Sequence, residues 1–240
     1  KFKVFENYVF YPPHVKAKEL IGKKEIGAPS VVVMRLGNCG IGRWNIPAEV
    51  WAWPFNQTLC GGGPVVFDHG YHTYSLATYL LGDVDEVFAW IDCSDVAGLK
   101  LDAPALIQWK YKTKGAYGTW ITTWSPGCYV SSRFYGDDER LEITGEKGYI
   151  FVTRCTGQLL DQPPLILYKA DGKAVSYHNI ECEWDTSFRD SGRHFINCIL
   201  ENKEPVLSGE QGTKVLRIGL AALESARVGK SVKVDSITSP

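Results

Sequence analysis

The sequence has no excess of charge of either sign and no long apolar run. Its 26 Lys and Arg residues against 27 Asp and Glu residues give a net charge of −1 over 240 residues, so nucleic acid and anionic membranes are poor candidate partners. No apolar stretch reaches the roughly 18–20 residues that a membrane span needs, and the N-terminus has no signal-peptide hydrophobic core. We therefore expect a cytoplasmic protein.

Cysteine pairs at metal-ligand spacing are also missing. The closest two cysteines, Cys182 and Cys198, lie 16 positions apart, and no CxxC occurs, which excludes a zinc ribbon and a thioredoxin-type motif. Scattered thiols are typical of a reducing compartment, where a small buried apolar side chain is their default role. The seven are Cys39, Cys60, Cys93, Cys128, Cys155, Cys182 and Cys198.

Two common catalytic signatures are absent. The chain has no GxSxG, so it offers no serine on a nucleophile elbow. The glycines at 37, 40 and 42 follow a predicted strand, but their order is GxxGxG rather than GxGxxG. This order favours a flexible loop over a dinucleotide-phosphate site.

The composition and the turn pattern predict an α+β fold. Hydrophobic residues at 45% and charged residues at 22% are typical of a globular domain, which excludes disorder and coiled coil. Helical patterns lie near both ends and after residue 67, with hairpin-like runs between them and no strict βαβ alternation. We expect a large, mostly antiparallel open sheet with helices packed on one face. The predicted strands are Val4–Glu6, Ser30–Leu36, Val84–Cys93, Ala105–Lys112, Tyr117–Trp124, Arg140–Thr144, Tyr149–Thr153, Leu165–Lys169, Ala174–His178 and Ser231–Val234. The predicted helices run from Pro12 to Gly22, Asp68 to Leu81, Ser187 to Glu201 and Ser208 to Val228, the last with a Ser208/Gln211 capping box.

Apolar residues occupy both faces of the predicted sheet. In Ala105–Trp124, two sets alternate between the faces. One is Trp109, Tyr111 and Tyr117, and the other is Thr119, Ile121 and Thr123. An uncovered apolar sheet face favours self-association, so we expect a homo-oligomer formed through this face. The helix Ser187–Glu201 also shows an apolar face, made of Phe195, Ile196, Ile199 and Leu200.

The strongest candidate for a site is the segment GGGPVVFDHGYH, residues 61–72. Glycines such as Gly62 and Gly63 let the backbone approach a ligand or a neighbouring chain closely. Asp68 and His72 are spaced i, i+4, so a helix that begins at Asp68 presents both side chains from one face near its positive end. That field favours an ionised Asp68 and a neutral His72, ready to accept a proton. An N-cap role for Asp68 and a structural hydrogen bond for His72 explain the same pattern.

A metal site in this segment is disfavoured. His69 should point roughly 100° away from Asp68 around a helix, so Asp68, His69 and His72 make a poor ligand set. The paired acids Asp137-Asp138 and Glu181/Glu183 are most simply solvated turns.

A long loop at about residues 37–63 is rich in glycine and tryptophan. Exposed aromatic rings stack on the apolar faces of sugars, and polar side chains beside them could hydrogen-bond hydroxyl groups. The alternative is that the rings fold inward as a small local core. The tryptophans are Trp44, Trp51 and Trp53, and the polar residues are Arg43, Asn45 and Asn56.

Five segments of the chain form a recognisable series. They are FEN with its Pro-then-helix continuation (Phe5–Ile21), EIGAP (Glu25–Pro29), GGGPVVFDHGYH with the following LLGDVDEV (Leu80–Val87), LEITGEKGYIFV (Leu141–Val152) and HFINCILENKEPVLSGEQG (His194–Gly212). Together they resemble the Gfo/Idh/MocA family, the relatives of glucose-fructose oxidoreductase and inositol dehydrogenase. The resemblance covers nearly all of the chain but only the C-terminal half of the family. It implies an α+β domain whose sheet usually forms the oligomer interface, with a nucleotide-binding Rossmann domain missing.

The resemblance also implies roles for single residues. Asp68 and His72 match the family's catalytic Asp and His, and Asn7 matches a position close to the nicotinamide and the substrate. The family's DxGxHxxD pattern ends here in Ser75, and its EKP lysine has no counterpart. The implied chemistry is hydride transfer between a sugar or polyol and NAD or NADP, with His72 as general acid/base and Asp68 orienting the hydroxyl or His72 and stabilising the imidazolium.

We therefore expect residues 1–240 to be a single substrate-binding and oligomerisation domain of an NAD(P)-dependent oxidoreductase, inactive alone. The only methionine is Met34, so we expect the chain to be part of something longer. Two alternatives stay open: a non-catalytic binding or assembly domain that keeps the fold, and a metal-dependent lyase or hydrolase that uses Asp68 and His72. The predicted substrate contacts are Asn7, Arg43, Trp44, Trp51, Trp53, Gly62 and Gly63.

Overall fold

The computed structural model describes residues 1–38, 53–96, 99–125, 130, 132–134, 136–157 and 160–238. Three of the predicted substrate contacts, Arg43, Trp44 and Trp51, lie outside these residues, as do Asn45, Cys39 and Cys128.

Helices and strands follow one another as the turn pattern predicts. The helices are α1 (Pro12–Gly22), α2 (Gln57–Cys60), α3 (Gly70–Leu81), α4 (Trp184–Leu200) and α5 (Gly209–Val228). The strands are β1 (Pro29–Asn38), β2 (Val84–Ile91), β3 (Ser94–Val96), β4 (Leu99–Leu101), β5 (Ala105–Tyr111), β6 (Tyr117–Trp124), β7 (Asp137–Gly145), β8 (Gly148–Val152), β9 (Leu165–Lys169), β10 (Ala174–Tyr177) and β11 (Val232–Lys233). A π-helical turn, Pro64–His69, leads directly into α3, and 3₁₀ turns occur at Tyr8–Phe10, Trp53–Phe55 and Val234–Ser236.

Nine of the strands form one sheet, in the order β10-β9-β8-β7-β1-β6-β5-β2-β11. Only the β1–β6 pair is parallel among these neighbours, and the others are antiparallel. Strands β3 and β4 form a separate hairpin, which the sequence did not predict. The predicted α+β class, with a mostly antiparallel open sheet and helices on one face, is confirmed.

Alternation along the strands separates a buried face from an open one. Met34 on β1, Trp120 on β6 and Ile143 on β7 are almost fully buried on the inner face, as the period of two requires. Helix α5 packs against β2 and α3 against α5, and both helices cover that face. The predicted capping box forms, since Ser208 Oγ accepts from Gln211 N and the Gln211 side chain accepts from Ser208 N.

The N-terminal segment is not the strand that the sequence predicts at Val4–Glu6. Val4 N donates to Leu207 O at 2.8 Å, and the chain then turns at Tyr8–Phe10. This single backbone hydrogen bond does not extend into a β-ladder, because Leu207 lies just before α5 and is not part of a strand.

The prediction of solvated turns is wrong for Asp137 and Asp138. Strand β7 begins at Asp137, three residues before the predicted start, and pairs with β1 as far as Asn38. Asp138 is buried and accepts two hydrogen bonds from Arg140. Glu181 and Glu183 are exposed, as predicted.

Helix α4 packs through a different face from its apolar one. It buries the side chains of Trp184, Ser187, Ser191 and Cys198, whereas Ile196, Ile199 and Leu200 are exposed. Short serine side chains let the helix approach the N-terminal segment closely, which an apolar stripe of larger residues would prevent.

The sequence predicts buried cysteines and no membrane-spanning segment. Among the cysteines that the structure describes, Cys60, Cys155 and Cys198 are buried, Cys182 is partly buried and Cys93 is exposed. No helix in the described ranges is both long enough and apolar enough to span a membrane.

Candidate active site

The glycine run at 61–63 brings the backbone close to two side chains of the same chain. The N–H groups of Val65 and Val66 donate to the two carboxylate oxygens of Asp102, at 2.8 and 2.7 Å. A Cβ added to Gly63 would lie 2.2 Å from that carboxyl group, and one on Gly62 would lie 2.4 Å from Phe67. Asp102 thus satisfies the free N–H groups at the start of the helical segment, as a cap does.

Asp68 lies inside this segment and not at its N-cap. Its N–H donates to Gly63 O at 3.1 Å, a bond of the π-helical type that widens the turn. The predicted helix start at Asp68 is therefore wrong. Within the described part of the chain, no hydrogen bond reaches the Asp68 carboxylate, and the side chain is half-buried. Burial raises the pKa of Asp68, assisted by the Asp102 charge and opposed by His72 and His69. The field at the start of the helix was expected to lower this pKa, and the raised value differs from that expectation.

His72, one helical turn later, is held by Glu6. Its Nδ1 lies 2.7 Å from Glu6 Oε1, and its side chain is 36% exposed whereas that of Glu6 is 1% exposed. The ring of Tyr8 stacks on His72, with centroids 4.6 Å apart and planes 10° from parallel. The imidazole is thus fixed in orientation while part of it reaches solvent.

His69 points elsewhere, toward strand β7. Its Nε2 lies 2.8 Å from Glu139 Oε1, and the Tyr8 hydroxyl donates to the same oxygen at 2.7 Å. Burial alone would raise the pKa of Glu139, but the hydrogen bond and charge of His69 outweigh it and hold the value at about 2. Burial likewise opposes protonation of His69, yet Glu139 raises its pKa. Burial raises the pKa of Asp137 to about 7, against the attraction of His69.

Side chains of the kinds that bind metals do lie close together, but they are not the Asp68, His69 and His72 considered in the sequence analysis. In the described ranges, His69, Asp137 and Glu139 place one ligand-type atom each within 4.8 Å of one another. His69 directs its Nε2 to Glu139, while its ring packs edge-on against the ring of His72 with centroids 5.7 Å apart.

The other predicted contacts are distributed unevenly. Asn7 is buried and its Nδ2 donates to Ser187 Oγ at 2.9 Å. Trp53 is 42% exposed, and its 3₁₀ turn lies beside the π-helical turn. The Asn56 carboxamide oxygen accepts from the N–H groups of Thr58 and Leu59.

Three residues that contact the two histidines, Glu6, Tyr8 and Glu139, are absent from the predicted set. Glu139 lies just before the predicted strand start at Arg140, and extending the alternation of Leu141 and Ile143 back by two residues puts it on the same inward face of β7. Glu6 and Tyr8 carry no such signal, because a short irregular segment shows no periodicity.

Comparisons with known proteins show which family this chain resembles. Residues 18–234 match the oxidoreductase family, C-terminal alpha/beta domain. The chain is 28% identical over 234 residues to myo-inositol 2-dehydrogenase of Thermotoga maritima, covering 92% of this chain and 61% of that protein. It is 28% identical over 232 residues to scyllo-inositol 2-dehydrogenase (NAD(+)) of Bacillus subtilis, covering 94% and 60%. The chain thus spans about three-fifths of the length of these relatives.

A solved structure has the same fold. An oxidoreductase from Agrobacterium radiobacter, in complex with NAD+, L-tartaric acid and magnesium, aligns with a TM-score of 0.77 at 19% identity, covering 98% of this chain and 66% of that one. With the match over residues 18–234, the chain belongs to the Gfo/Idh/MocA oxidoreductase family, of which it carries the C-terminal alpha/beta domain.

Proposed function

We propose that this chain is the substrate-binding half of a nicotinamide-dependent dehydrogenase that acts on a polyol or sugar. The relatives support this class, since two of them are named inositol dehydrogenases, one with NAD(+). NAD is therefore the proposed cofactor, with NADP as the alternative. The 240 residues contain no GxGxxG, so we expect a nucleotide-binding domain outside them to hold most of the cofactor.

The observation that carries the proposal is the state of Asp68 and His72. Nδ1 of His72 is engaged by Glu6, so Nε2 is the ring nitrogen that can face a substrate. Asp68, one turn earlier, is half-buried and free of hydrogen bonds from other described residues. A free carboxylate beside an oriented imidazole suits the binding and deprotonation of a hydroxyl group.

In the oxidation direction, His72 Nε2 accepts the proton of the reacting hydroxyl. The carbinol carbon loses a hydride, with its two electrons, and the C–O bond becomes a carbonyl. When bound, NAD supplies the hydride acceptor at its nicotinamide ring. Asp68 accepts a hydrogen bond from the reacting hydroxyl or its neighbour, which orients the substrate. We expect the exposed ring of Trp53 to offer a stacking surface to the sugar or polyol.

The open sheet face supports the proposed oligomer. Trp90, Tyr117, Ile121, Tyr149 and Tyr168 all lie exposed on this face. An exposed apolar surface of this kind is uncommon on a monomer and is typical of an interface with another chain. We propose that a second copy of the chain covers it, and that the chain alone is inactive because the nucleotide site and the family's lysine are not within it.

Replacing His72 tests the proposal. In the full-length protein that contains this chain, His72→Ala should lower turnover of a polyol or sugar by roughly 10²–10⁴-fold, the usual span for one acid/base group. Reduction of NAD or NADP with a panel of inositols and sugars gives the measurement. His178→Ala removes an exposed histidine and should leave turnover unchanged. If turnover of a folded His72→Ala protein falls by less than tenfold, His72 is not the general acid/base of the reaction.

A further inference from the structure

Glu6 reaches His72 from a segment 66 positions away in the sequence. Its Oε1 lies 2.7 Å from His72 Nδ1 and accepts the Tyr8 N–H at 2.9 Å. A carboxylate oxygen accepts hydrogen bonds and does not donate them. A proton on Nδ1 of His72 satisfies this contact, and in a neutral ring it leaves the lone pair on Nε2, which makes Nε2 the basic nitrogen.

The segment that holds Glu6 is anchored on both sides. Asn7 Nδ2 donates to Ser187 Oγ at 2.9 Å, and Lys3 Nζ donates to the Ser191 carbonyl at 2.7 Å. Both serines lie on the buried face of α4. Glu6 is thus fixed by the same helix face that packs with short side chains, and it does not depend on a flexible loop.

The second oxygen of Glu6 has no hydrogen-bond partner among the residues that the structure describes. Oε2 is buried and makes no hydrogen bond to the described residues. A buried carboxylate with one oxygen unsatisfied lowers the stability of the fold. A neutral side chain would fill a purely structural role with a smaller desolvation penalty. The charge becomes useful if the neighbouring imidazole turns positive during a reaction, because the opposite charges then lie in a region of low dielectric.

We propose that Glu6 is a positioning residue for His72: it fixes the Nδ1–H tautomer, so that Nε2 accepts the substrate proton, and its negative charge stabilises the imidazolium that forms. This inference rests on the proposed role of His72. It separates the duties of the two carboxylates, because Glu6 orients the imidazole and Asp68 is left to orient the substrate hydroxyl.

The Glu6→Gln variant removes the charge while it keeps the size of the side chain and an oxygen that can accept from Nδ1. In the full-length protein, kcat should fall about 10–100-fold, the range typical of hydrogen-bond partners of metal-bound histidines, while KM changes by less than about threefold. Glu19→Gln, which neutralises an exposed carboxylate on α1 that pairs with lysines, is the matched control and should change neither value. A folded Glu6→Gln protein with kcat within twofold of the wild type would overturn the proposal.

NMR determines the tautomer of His72 without any need for catalytic turnover. Ring ¹⁵N NMR of the wild-type protein should show neutral His72 with its proton on Nδ1, and Glu6→Leu should move population toward the Nε2–H form. A wild-type ring protonated on Nε2 would overturn the proposal even if the variants do not fold. If His72→Ala retains activity, the proposed function fails whatever the NMR result. If His72→Ala loses activity and Glu6→Gln does not, only the role of Glu6 fails.

Discussion

At the scale of single residues, each of two neighbouring histidines is paired with a different buried carboxylate. His72 contacts Glu6 and His69 contacts Glu139, and Tyr8 touches both pairs through its N–H and its hydroxyl. The sequence places Asp68 and His72 on one helix, so their candidacy could be read from spacing. The carboxylates come from distant segments, so tertiary packing alone brings them to the histidines.

The pair formed by Glu139 and His69 should contribute to stability. Glu139→Gln should lower the free energy of unfolding by about 2–4 kcal/mol at pH 7, because it leaves part of a buried ion pair uncompensated. Since the pKa of Glu139 is held at about 2 in the folded state, its contribution is present above the unfolded pKa of about 4.3 for as long as His69 keeps its proton, and it disappears as the pH falls toward 2.

Urea unfolding at pH 7 and pH 3 measures this difference. Glu142→Gln, on the same strand but on its partly exposed outer face, is the control and should have an effect below about 0.5 kcal/mol. Equal losses for the two variants at pH 7 would contradict the assigned ion pair.

At the scale of elements, local signals predicted helices and strands well where they repeat or have clear ends. The strands β6 and β9, the helix α1 and the Ser208/Gln211 capping box lie where the sequence places them. The failures have physical reasons: β7 extends because β1 pairs along its whole length, and α4 turns its serines inward to receive the N-terminal segment. The π-helical turn depends on Asp102, 37 positions from Val65, and a local pattern cannot show it.

The start of that turn should depend on the absence of a side chain at residue 63. Gly63→Ala would bring a Cβ within 2.2 Å of the Asp102 carboxyl group and displace the acceptor of two backbone N–H groups. We expect a loss of at least about 2 kcal/mol in the free energy of unfolding, the cost of leaving such donors unsatisfied.

Gly22→Ala is the control, because nothing lies within 4 Å of its added Cβ and it ends helix α1. It should be neutral or stabilising by up to about 1 kcal/mol, as measured by urea or thermal unfolding. A harmless Gly63→Ala would show that Asp102 does not cap the turn.

At the scale of the whole molecule, the sheet has one face covered by helices and one face left open. On the open face, Trp90 pairs with Leu106, and Leu106 pairs with Ile121, so a row of apolar side chains crosses three strands. The alternation in β5 and β6 predicted an apolar second face from the sequence, but the grouping of Tyr117 with Trp109 is wrong, because Tyr117 pairs with Lys110 and shares the open face with Ile121. Which copy or partner covers it depends on surface complementarity that a single sequence does not contain.

Interrupting this row should dissociate the proposed oligomer. Ile121→Asp places a charge in the middle of the apolar face, where burial against a second copy would be costly. Sedimentation velocity of the full-length protein should show a smaller species than the wild type. Val15→Asp, an equivalent change at an exposed position of α1, should leave the size unchanged, and an Ile121→Asp protein of wild-type size would place the interface elsewhere.

The central claim is that His72 moves the proton of the reacting hydroxyl, and single-turnover kinetics of the full-length His72→Ala protein test it most directly. The rate of hydride transfer, followed by nicotinamide absorbance, should fall roughly 10²–10⁴-fold while the dissociation constants of the polyol and of NAD stay near those of the wild type. Hydride transfer within tenfold of the wild-type rate, with binding unchanged, would contradict the claim.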